Sequence, residues 1–331
     1  MKLAAFSAGR KNGNTEVFIK EALMAAEEMG VEVALYRLND FELSACTACA
    51  PMICPACRDI THCPHKDDAI FLVESFLDCD GVIVGAPVYS LTPSSLLFTF
   101  RDRIFGPKMD VATKASRGVE PAFAKGRFKA RPGALISVGG ALTENWTSLG
   151  LATLYSTTFS AQTEVVDQMN VYGVADYAEA AIHDDYLARA RALGRHVAEA
   201  MLSGDHSWRG DTDGVCPQCH LNLLELEPGT DKVMCPVCGI YGKLTVEDGR
   251  SRIQWPEDDQ HRWDNRLTLE GKKHHLDEIL VHSRQYQPRE AEAREKLKKY
   301  QAYEQHTVKS PYREAKRAAL RAELEAQGKT K

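Results

Sequence analysis

Cysteines are the residues of this chain whose spacing points most directly to chemistry. Nine of the ten fall in two groups, one within CTACAPMICPACRDITHC at 46–63 and one between 216 and 238. The first group is Cys46, Cys49, Cys54, Cys57 and Cys63, and the second is Cys216, Cys219, Cys235 and Cys238. Four thiolates satisfy one zinc ion or one iron-sulfur cluster. The sequence therefore predicts two metal sites, with one thiol to spare at the first.

The second group has the spacing Cys-x2-Cys-x15-Cys-x2-Cys, which is typical of two metal-binding knuckles. We expect a ribbon of short strands around a structural zinc ion. A rubredoxin-like iron centre is the competing interpretation, because CPxCG knuckles also hold iron. Zinc is favoured because the first knuckle reads CPQCH, with His220 where rubredoxins usually carry glycine. The tenth cysteine, Cys79, precedes a hydrophobic strand and is expected to be a buried apolar side chain.

Composition restricts the class of protein. The chain has 331 residues, of which 44% are hydrophobic and 26% charged, and this balance predicts globular domains. A net charge of -5 and a pI near 6.1 argue against a general nucleic-acid surface. The sequence contains no run of eighteen apolar residues, so no membrane span is predicted. Polar residues interrupt the apolar start of the chain before it reaches the length of a signal peptide. We therefore expect a cytoplasmic protein whose thiols stay reduced and bind metals.

Short apolar strands alternate with helical segments over the first 205 residues. The pattern predicts strands around 1–7, 31–38, 81–89, 131–140 and 163–174, and helices around 15–30, 67–79, 93–105, 147–162 and 185–202. This alternation is typical of an α/β fold with a doubly wound parallel sheet. In such sheets ligands bind beyond the carboxyl ends of the strands, where the connecting loops meet.

Three of these loops have the composition of a site for an anion and a flat ring. SAGRKNGNT at 7–15 leads into a helix and offers hydroxyls, amides, cations and glycines, which suit a phosphate. APVYS at 86–90 follows a buried strand with a proline-stiffened turn and an aromatic side chain. SVGGA at 137–141 allows the backbone to approach a flat ligand closely. Together the loops predict one binding site at the edge of the sheet.

With the longer segments CDGVIVGAPVYSLTPSSLLFTFRDR and RPGALISVGGALTENW, these loops resemble the flavodoxin-like NAD(P)H-dependent FMN reductase family over residues 1–205. The resemblance implies that the FMN phosphate is held by Ser7, Arg10, Asn12, Asn14 and Thr15. It also implies that the isoalloxazine ring and ribityl chain are flanked by Pro87, Val88, Tyr89, Ser90, Gly139, Gly140 and Ala141. Tyr89 and Glu144 are the nearest acid-base candidates, and no catalytic residue is assigned.

Within that family, the iron-sulfur flavoproteins carry a CxxCxxCx5C motif that holds a 4Fe-4S cluster in the loop after the second strand. CPACRDITHC resembles the end of this motif, but proline replaces its first cysteine. In one alignment, Cys46 or Cys49 joins Cys54, Cys57 and Cys63. In the other, Cys46 and Cys49 pair with Cys57 and Cys63. Both alignments stay open, and a zinc knuckle is the alternative to the cluster.

Two departures from the family bear on access to the flavin. GGALTENW places Glu144, Asn145 and Trp146 where relatives carry small residues, so we expect altered substrate access. The polar, basic segment 106–133 is long for a connection. It is interpreted either as a lid over the flavin or as an exposed insertion without function.

Three parts are predicted along the chain. A flavodoxin-like FMN-binding domain with the cysteine loop spans 1–205, a zinc-ribbon or rubredoxin-like module spans 206–256, and a charged helical extension spans 257–331. In the extension, Ser310 and Pro311 predict a helix start and Gly328 predicts its end.

The family resemblance implies an FMN oxidoreductase, homodimeric or homotetrameric, that passes electrons between NAD(P)H or ferredoxin and a small-molecule or protein acceptor. Because reduced FMN can release a hydride and a cluster carries single electrons, a protein with both can connect the two kinds of partner. The alternative is a flavin, quinone or nitro-compound reductase whose metals are all structural zinc. A regulator whose ribbon binds nucleic acid or protein is a third interpretation, disfavoured by the acidic balance and the complete flavin loops.

Overall fold

A computed structural model of the chain describes residues 1–49, 62–105, 114–115, 117–118, 120, 122–211, 214–256, 265–308 and 310–326. The chain forms two compact units, Met1–Leu276 and Asp277–Lys331. The first unit holds the sheet domain and the cysteine ribbon, and the second holds the helical tail. The domain boundaries expected near 205 and 256 stay predictions.

The first unit is built on five parallel strands ordered β2-β1-β3-β5-β6. They are β1 Lys2–Ser7, β2 Glu32–Arg37, β3 Gly81–Tyr89, β5 Arg131–Val138 and β6 Thr163–Val171, and the short β4 Thr92–Pro93 pairs with the end of β3. The order reverses between β1 and β3, as in flavodoxin-like sheets, where ligands bind at this reversal. The predicted fold class is confirmed.

Helices cover both faces of this sheet. On one face lie α1 Asn14–Glu27 and α5 Asp184–Ser203, and on the other lie α2 Ala69–Leu77, α3 Ser95–Phe100 and α4 Gly150–Leu154. Alternate side chains of β1 enter the two cores. Leu3 and Ala5 pack with α1 and α5, whereas Ala4 and Phe6 pack on the opposite face. Because both faces are covered, the strands are apolar throughout, which explains their continuous hydrophobic runs.

Two helices differ from the prediction. The helix expected over 147–162 is α only at Gly150–Leu154 and continues as a 3-10 turn over Tyr155–Thr157, where the hydroxyls of Thr157 and Thr158 donate to backbone carbonyls. The helix expected over 93–105 is α only at Ser95–Phe100 and continues as a π-helical turn over Arg101–Phe105. Such turns are frequent at functional sites, and this one carries a buried arginine described below.

The cysteine ribbon is a four-stranded antiparallel sheet ordered β10-β9-β8-β7. Its strands are β7 Glu225–Leu226, β8 Lys232–Met234, β9 Tyr241–Glu247 and β10 Arg250–Gln254. The ribbon cysteines belong to the same buried cluster as the apolar side chains of α2, α3 and α4. The ribbon therefore packs onto one face of the sheet domain.

The second unit is helical. α6 Leu269–Tyr286 begins in the first unit, and α7 Glu290–Ala302 and α8 Pro311–Ala326 follow. α8 begins at the predicted proline, whereas Gly328 lies outside the described residues. Within the parts of the chain that the structure describes, no helix is both long and apolar enough to span a bilayer.

Candidate functional site

The loops expected to bind a ligand meet around one pocket of about 240 Å³ at the carboxyl edge of the sheet. Its lining consists of Gly9, Arg10, Gly13, Asn14, Thr15, Pro87, Val88, Tyr89, Val138, Gly140, Val174 and Ala175. The loops after β1, β3 and β5 each contribute, as the sequence predicted. A fourth loop, after β6, contributes Val174 and Ala175, which sequence reasoning missed.

Backbone contacts stabilise the loop between β1 and α1. Asn12 has a φ of 54°, and its amide donates to Glu16 Oε1 at 3.2 Å. The Gly9 amide donates to Ser7 Oγ at 3.2 Å. No side chain caps the first turn of α1, so its backbone amides can bind an anion. The loop therefore fits a phosphate group near Arg10 and the start of α1.

A buried ion pair lies beneath this loop. Glu16 is completely buried and pairs with Arg37 at 2.5 Å and with Lys20 at 2.7 Å. Burial acts to raise the pKa of Glu16, but hydrogen bonds from Arg37 and Lys20 outweigh it and lower the pKa to about 2. The carboxylate therefore stays charged and compensated while it accepts the Asn12 amide.

Asn14 joins the phosphate loop to the loop after β6. Its Nδ2 donates to the carbonyl oxygens of Val174 at 3.3 Å and Asp176 at 2.9 Å. Its Oδ1 accepts from the Ala180 amide at 3.1 Å. Both ends of the side-chain amide are thus engaged by backbone. Asn14 positions the pocket, and a phosphate contact from this residue would come from its backbone amide.

The other flavin residues inferred from the family fall into two sets. Besides Asn14, the lining includes Arg10, Thr15, Pro87, Val88, Tyr89 and Gly140. Outside the lining, in adjacent parts of the same loops, are Ser7, Asn12, Ser90, Gly139, Ala141 and the acid-base candidate Glu144. Ser7 is fully buried, whereas Glu144 is exposed. The structure brings these residues to one edge, and their contact with FMN stays a prediction.

Close packing shapes the side of the pocket opposite the phosphate loop. A Cβ on Gly139 would lie 2.3 Å from Thr147 Cγ2, so only glycine allows this approach. Thr147 Oγ1 accepts from Asn170 Nδ2 at 3.1 Å, which joins this loop to β6. Tyr89 lines the pocket with 60% of its surface exposed. The donors of the first loop suit a phosphate and the small and apolar residues suit a flat ring, so this set of residues fits FMN.

A buried arginine joins the two ends of the cysteine-rich segment. The Arg103 side chain is 2% exposed and donates to both carboxylate oxygens of Asp67, at 2.6 and 2.7 Å. It also donates to the Ser44 carbonyl at 2.5 Å and lies 3.7 Å from Cys63 Sγ. Burial acts to raise the pKa of Asp67, but the bonds from Arg103 and two backbone amides lower it to about 2. Arg103 therefore closes the base of the segment.

Three of the five candidate ligands in this segment are described. Cys63 is 8% exposed, whereas Cys46 and Cys49 are exposed. Cys54 and Cys57 lie outside the described residues. The iron-sulfur site and the choice between its two alignments stay predictions.

The end of the segment interpreted as a lid packs on α2. Arg127 donates to Glu74 at 2.6 Å and to Asp78 at 2.7 Å, and Phe128 is buried. Residues 106–113 of this segment lie outside the described residues. Closure over the flavin stays a prediction.

The second cysteine group forms a metal-binding constellation. Two sulfur pairs, Cys216–Cys238 and Cys219–Cys235, are each 3.4 Å apart. All four Sγ atoms are buried and lie within 4.8 Å of one another. Tetrahedral coordination with Zn–S bonds of about 2.3 Å requires sulfurs about 3.8 Å apart. The donor set therefore fits one zinc ion, and it fits iron equally well.

Matching backbone turns build the two knuckles. The His220 amide donates to the Cys216 carbonyl at 2.9 Å, and the Gly239 amide donates to the Cys235 carbonyl at 2.8 Å. Both residues have positive φ, 55° and 87°. His220 thus occupies a conformation that glycine adopts more easily. Its ring stacks on Trp208, with 3.9 Å between centroids.

Side chains of the sheet domain bind the first knuckle directly. Tyr155 donates from its hydroxyl to the Cys219 carbonyl at 2.8 Å. Gln168 Nε2 donates to the carbonyls of Cys219 at 3.2 Å and His220 at 3.0 Å. Burial raises the pKa of Tyr155 well above 10, and charge on the nearby sulfurs adds to this, so the hydroxyl stays a donor. The cysteine ribbon is therefore anchored to the turn that follows α4 and to β6.

Comparisons place the chain among flavin-dependent proteins. Residues 1–163 match the family model of NADPH-dependent FMN reductases. Flavone synthase cfoJ of Aspergillus candidus is 30% identical over 292 residues, which are 84% of this chain and 88% of that protein. An iron-sulfur flavoprotein of Methanocaldococcus jannaschii is 35% identical over 104 residues, 31% of this chain and 51% of that protein. The solved structure of a flavone reductase aligns over 97% of both chains, with a TM-score of 0.67 and 26% identity.

Proposed function

This chain belongs to the NADPH-dependent FMN reductase family, and on that premise we propose that it transfers hydride, through FMN, between NAD(P)H and a flat unsaturated ketone of the flavone type. The observation that carries the proposal is the pocket that the loop after β1, the end of β3 and the loops after β5 and β6 line together. Proteins named for flavone chemistry match 84% and 97% of this chain, which supports an organic acceptor.

FMN bound in this pocket would supply hydride exchange between two partners that react in turn. Arg10, Thr15 and the first turn of α1 would hold its phosphate. Val88 and Gly140 offer an apolar, closely approaching surface to its ring. The Tyr89 hydroxyl can donate a hydrogen bond to a substrate carbonyl, which draws electron density from the conjugated carbon that accepts hydride. In the reducing direction, the substrate gains one hydride from NAD(P)H and one proton from water.

FMN binding tests the first part of the proposal. Arg10→Ala removes a charge-assisted contact worth about 1.5–3 kcal/mol, so the FMN Kd is expected to rise by about tenfold or more. Lys11→Ala is the matched control, because Lys11 is an exposed neighbour outside the lining. Flavin fluorescence titration measures both. An unchanged Kd in Arg10→Ala would place the phosphate elsewhere.

Turnover tests the second part. The protein is incubated without oxygen with NADPH and a flavone, and mass spectrometry follows a product two hydrogens heavier. Tyr89→Phe is expected to lower kcat without changing the FMN Kd, whereas Tyr241→Phe, a tyrosine in the ribbon, leaves both unchanged. If NADPH reduces bound FMN but no flavone-type ketone reoxidises it, the substrate class is wrong while the FMN site stands.

A second candidate function is single-electron transfer through an iron-sulfur cluster, with ferredoxin as donor or acceptor. Two observations favour it: Cys63 is buried beside the Arg103 cation, and iron-sulfur flavoproteins are among the relatives. Four of the five cysteines at 46–63 would then hold 4Fe-4S. Cys57→Ser and Cys63→Ser should each abolish iron and acid-labile sulfide, whereas Cys79→Ser leaves both intact. Iron and sulfide retained in either of the first two variants would exclude the assignment.

The ribbon metal is proposed to be structural zinc in a cytoplasmic, reduced protein. His220 in place of a knuckle glycine supports zinc over a rubredoxin-like iron centre. Metal analysis of protein purified without added metals should find one zinc per chain that Cys235→Ser loses. One iron per chain at this site, with the visible absorption of ferric thiolates, would make the ribbon an electron carrier instead.

A further inference from the structure

The helical tail, Asp277–Lys331, has large apolar side chains that its own unit leaves exposed. Between 277 and 326 none of the described side chains is buried. Large apolar side chains in it are 46–77% exposed, namely Tyr286, Leu297, Tyr300, Tyr303 and Tyr312. Short helices owe most of their stability to burial of an apolar face. The exposed apolar side chains of this tail are therefore available to contact another polypeptide surface.

A second exposed apolar surface borders the pocket. We call it the pocket rim, and it consists of Leu142, Trp146, Tyr172, Tyr177 and Ile182, which are 39–84% exposed. These residues belong to neighbouring loops, because the Gly173 amide donates to the Ala141 carbonyl at 2.6 Å. Exposed apolar side chains grouped on neighbouring loops are a candidate interaction site.

Charge is complementary between the two surfaces. The tail contains 13 Lys and Arg against nine Asp and Glu, a net charge of +4, whereas residues 1–276 contain 28 against 37, a net charge of −9. Exposed carboxylates flank the rim at Glu144, Asp176, Asp184 and Asp185. The cations beside the rim, Arg10 and Lys11, belong to the phosphate loop. Two tails would repel each other, so the charges favour contact between a tail and a rim.

The end of α7 matches the rim most closely. Over 294–303 it carries four basic residues and one acidic residue, together with Leu297, Tyr300 and Tyr303. A groove of about 410 Å³ lies between the end of α6 and the first half of α7, and its lining includes Tyr286, Ala293 and Lys296.

We propose that the basic, aromatic end of α7 of one copy docks on the pocket rim of a second copy. The proposal assigns the contact between copies, and a contact within one chain is the alternative outcome that the cross-linking below distinguishes. Each pocket mouth would then be bordered by the tail of the partner, and the assembly would be at least a dimer. The proposal concerns the rim and holds whether or not FMN occupies the pocket.

Cross-linking between labelled copies tests this contact in the full-length protein. A photoreactive amino acid replaces Tyr300, and a control places it at Val246, which is 71% exposed in the ribbon. Copies labelled with ¹⁴N and ¹⁵N are mixed before irradiation. The expected products join position 300 of a copy labelled with one isotope to peptides of 142–185 from a copy labelled with the other. Cross-links confined to one copy, or joining tail to tail, would overturn the proposal.

Charge reversal gives an independent test by analytical ultracentrifugation. The double variant Asp184→Lys with Asp185→Lys is expected to raise the dissociation constant between copies by about tenfold or more. When Lys298→Glu and Lys299→Glu are added to it, the dissociation constant should return to within about threefold of the native value. Glu247→Lys with Asp248→Lys, exposed in the ribbon, makes the same change in net charge and is expected to leave it unchanged. A monomeric native protein, an equal effect of the control, or no restoration would each refute the docking.

Discussion

Replacement of Asp67 by Asn tests whether the clamp around Arg103 organises the cysteine-rich segment. Asp67→Asn keeps the shape of the side chain but removes the charge that faces a guanidinium with 2% exposure. Two hydrogen bonds, at 2.6 and 2.7 Å, lose their charged acceptor. The buried Arg103 cation then has only neutral acceptors from this segment: the amide oxygen at position 67, the Ser44 carbonyl and the Cys63 sulfur.

The expected cost follows from this burial. Removing one partner of a buried ion pair typically destabilises a protein by about 3–5 kcal/mol. At about 2–4 °C per kcal/mol for a domain of this size, Tm should fall by about 6–20 °C. The matched control is Asp102→Asn, because Asp102 is 45% exposed beside Arg101 and such a pair contributes about 1 kcal/mol at most.

Urea denaturation of both variants measures the difference. A loss below about 1 kcal/mol for Asp67→Asn, or a loss equal to that of Asp102→Asn, would refute the clamp as a major stabilising contact. Replacing both partners, Asp67→Leu with Arg103→Met, should recover most of the lost stability, because no buried charge then lacks a partner.

Acid supplies a further check on the same pair. The pKa of Asp67 is about 2 in the folded protein and 3.8 without the fold, so its charge stabilises the native state fully above pH 3.8. This contribution, about 2 kcal/mol, is lost as the pH falls from 3.8 towards 2. The stability gap between wild type and Asp67→Asn should therefore narrow over that range. A gap that stays constant from pH 5 to pH 2.5 would contradict the depressed pKa.

Three other substitutions test the packing of the first unit. Gly194→Ala places a Cβ 1.9 Å from the Ala22 carbonyl oxygen, between α1 and α5. The free energy of unfolding measured in urea is expected to fall by about 2–3 kcal/mol, and no change would mean that the two helices can move apart freely. Tyr155→Phe removes the donor to the Cys219 carbonyl and should cost about 1–2 kcal/mol; stability equal to wild type would show that the bond adds nothing. Cys216→Ser should abolish metal binding by the ribbon and make 214–256 sensitive to protease, and a protected ribbon without metal would argue that packing alone maintains it.

Much of the sheet domain was predictable from sequence because its signals are local. Apolar runs such as that of β3 reflect burial on both faces, and the turn-forming residues after β1 and β5 mark where the backbone must leave the sheet. The helix expected from 147 was too long, because hydrophobic periodicity does not distinguish an α-helix from the 3-10 turn that follows it at Tyr155–Thr157.

The pocket was predicted less completely than the sheet. Val174 and Ala175 carry no chemical group that marks a binding residue, and only Gly173, with a φ of 72°, hinted at a turn. The family resemblance implies that Asn14 is a phosphate ligand, and this stays a prediction. Its side chain bonds to backbone some 160 residues away, a separation that no local motif records.

The sequence alone determined which residues are candidates to bind metal and phosphate, because ligand type and spacing within a loop are local properties. The four ribbon thiols come from two CxxC turns, and each turn presents its pair by its own backbone geometry. Tertiary structure alone decided which elements hold these groups together. Arg103 reaches Asp67 across 36 residues, and Gln168 reaches Cys219 across 51. Such contacts arise from strand order and helix packing, which bring distant residues together to bury apolar surface and satisfy the polar groups buried with it.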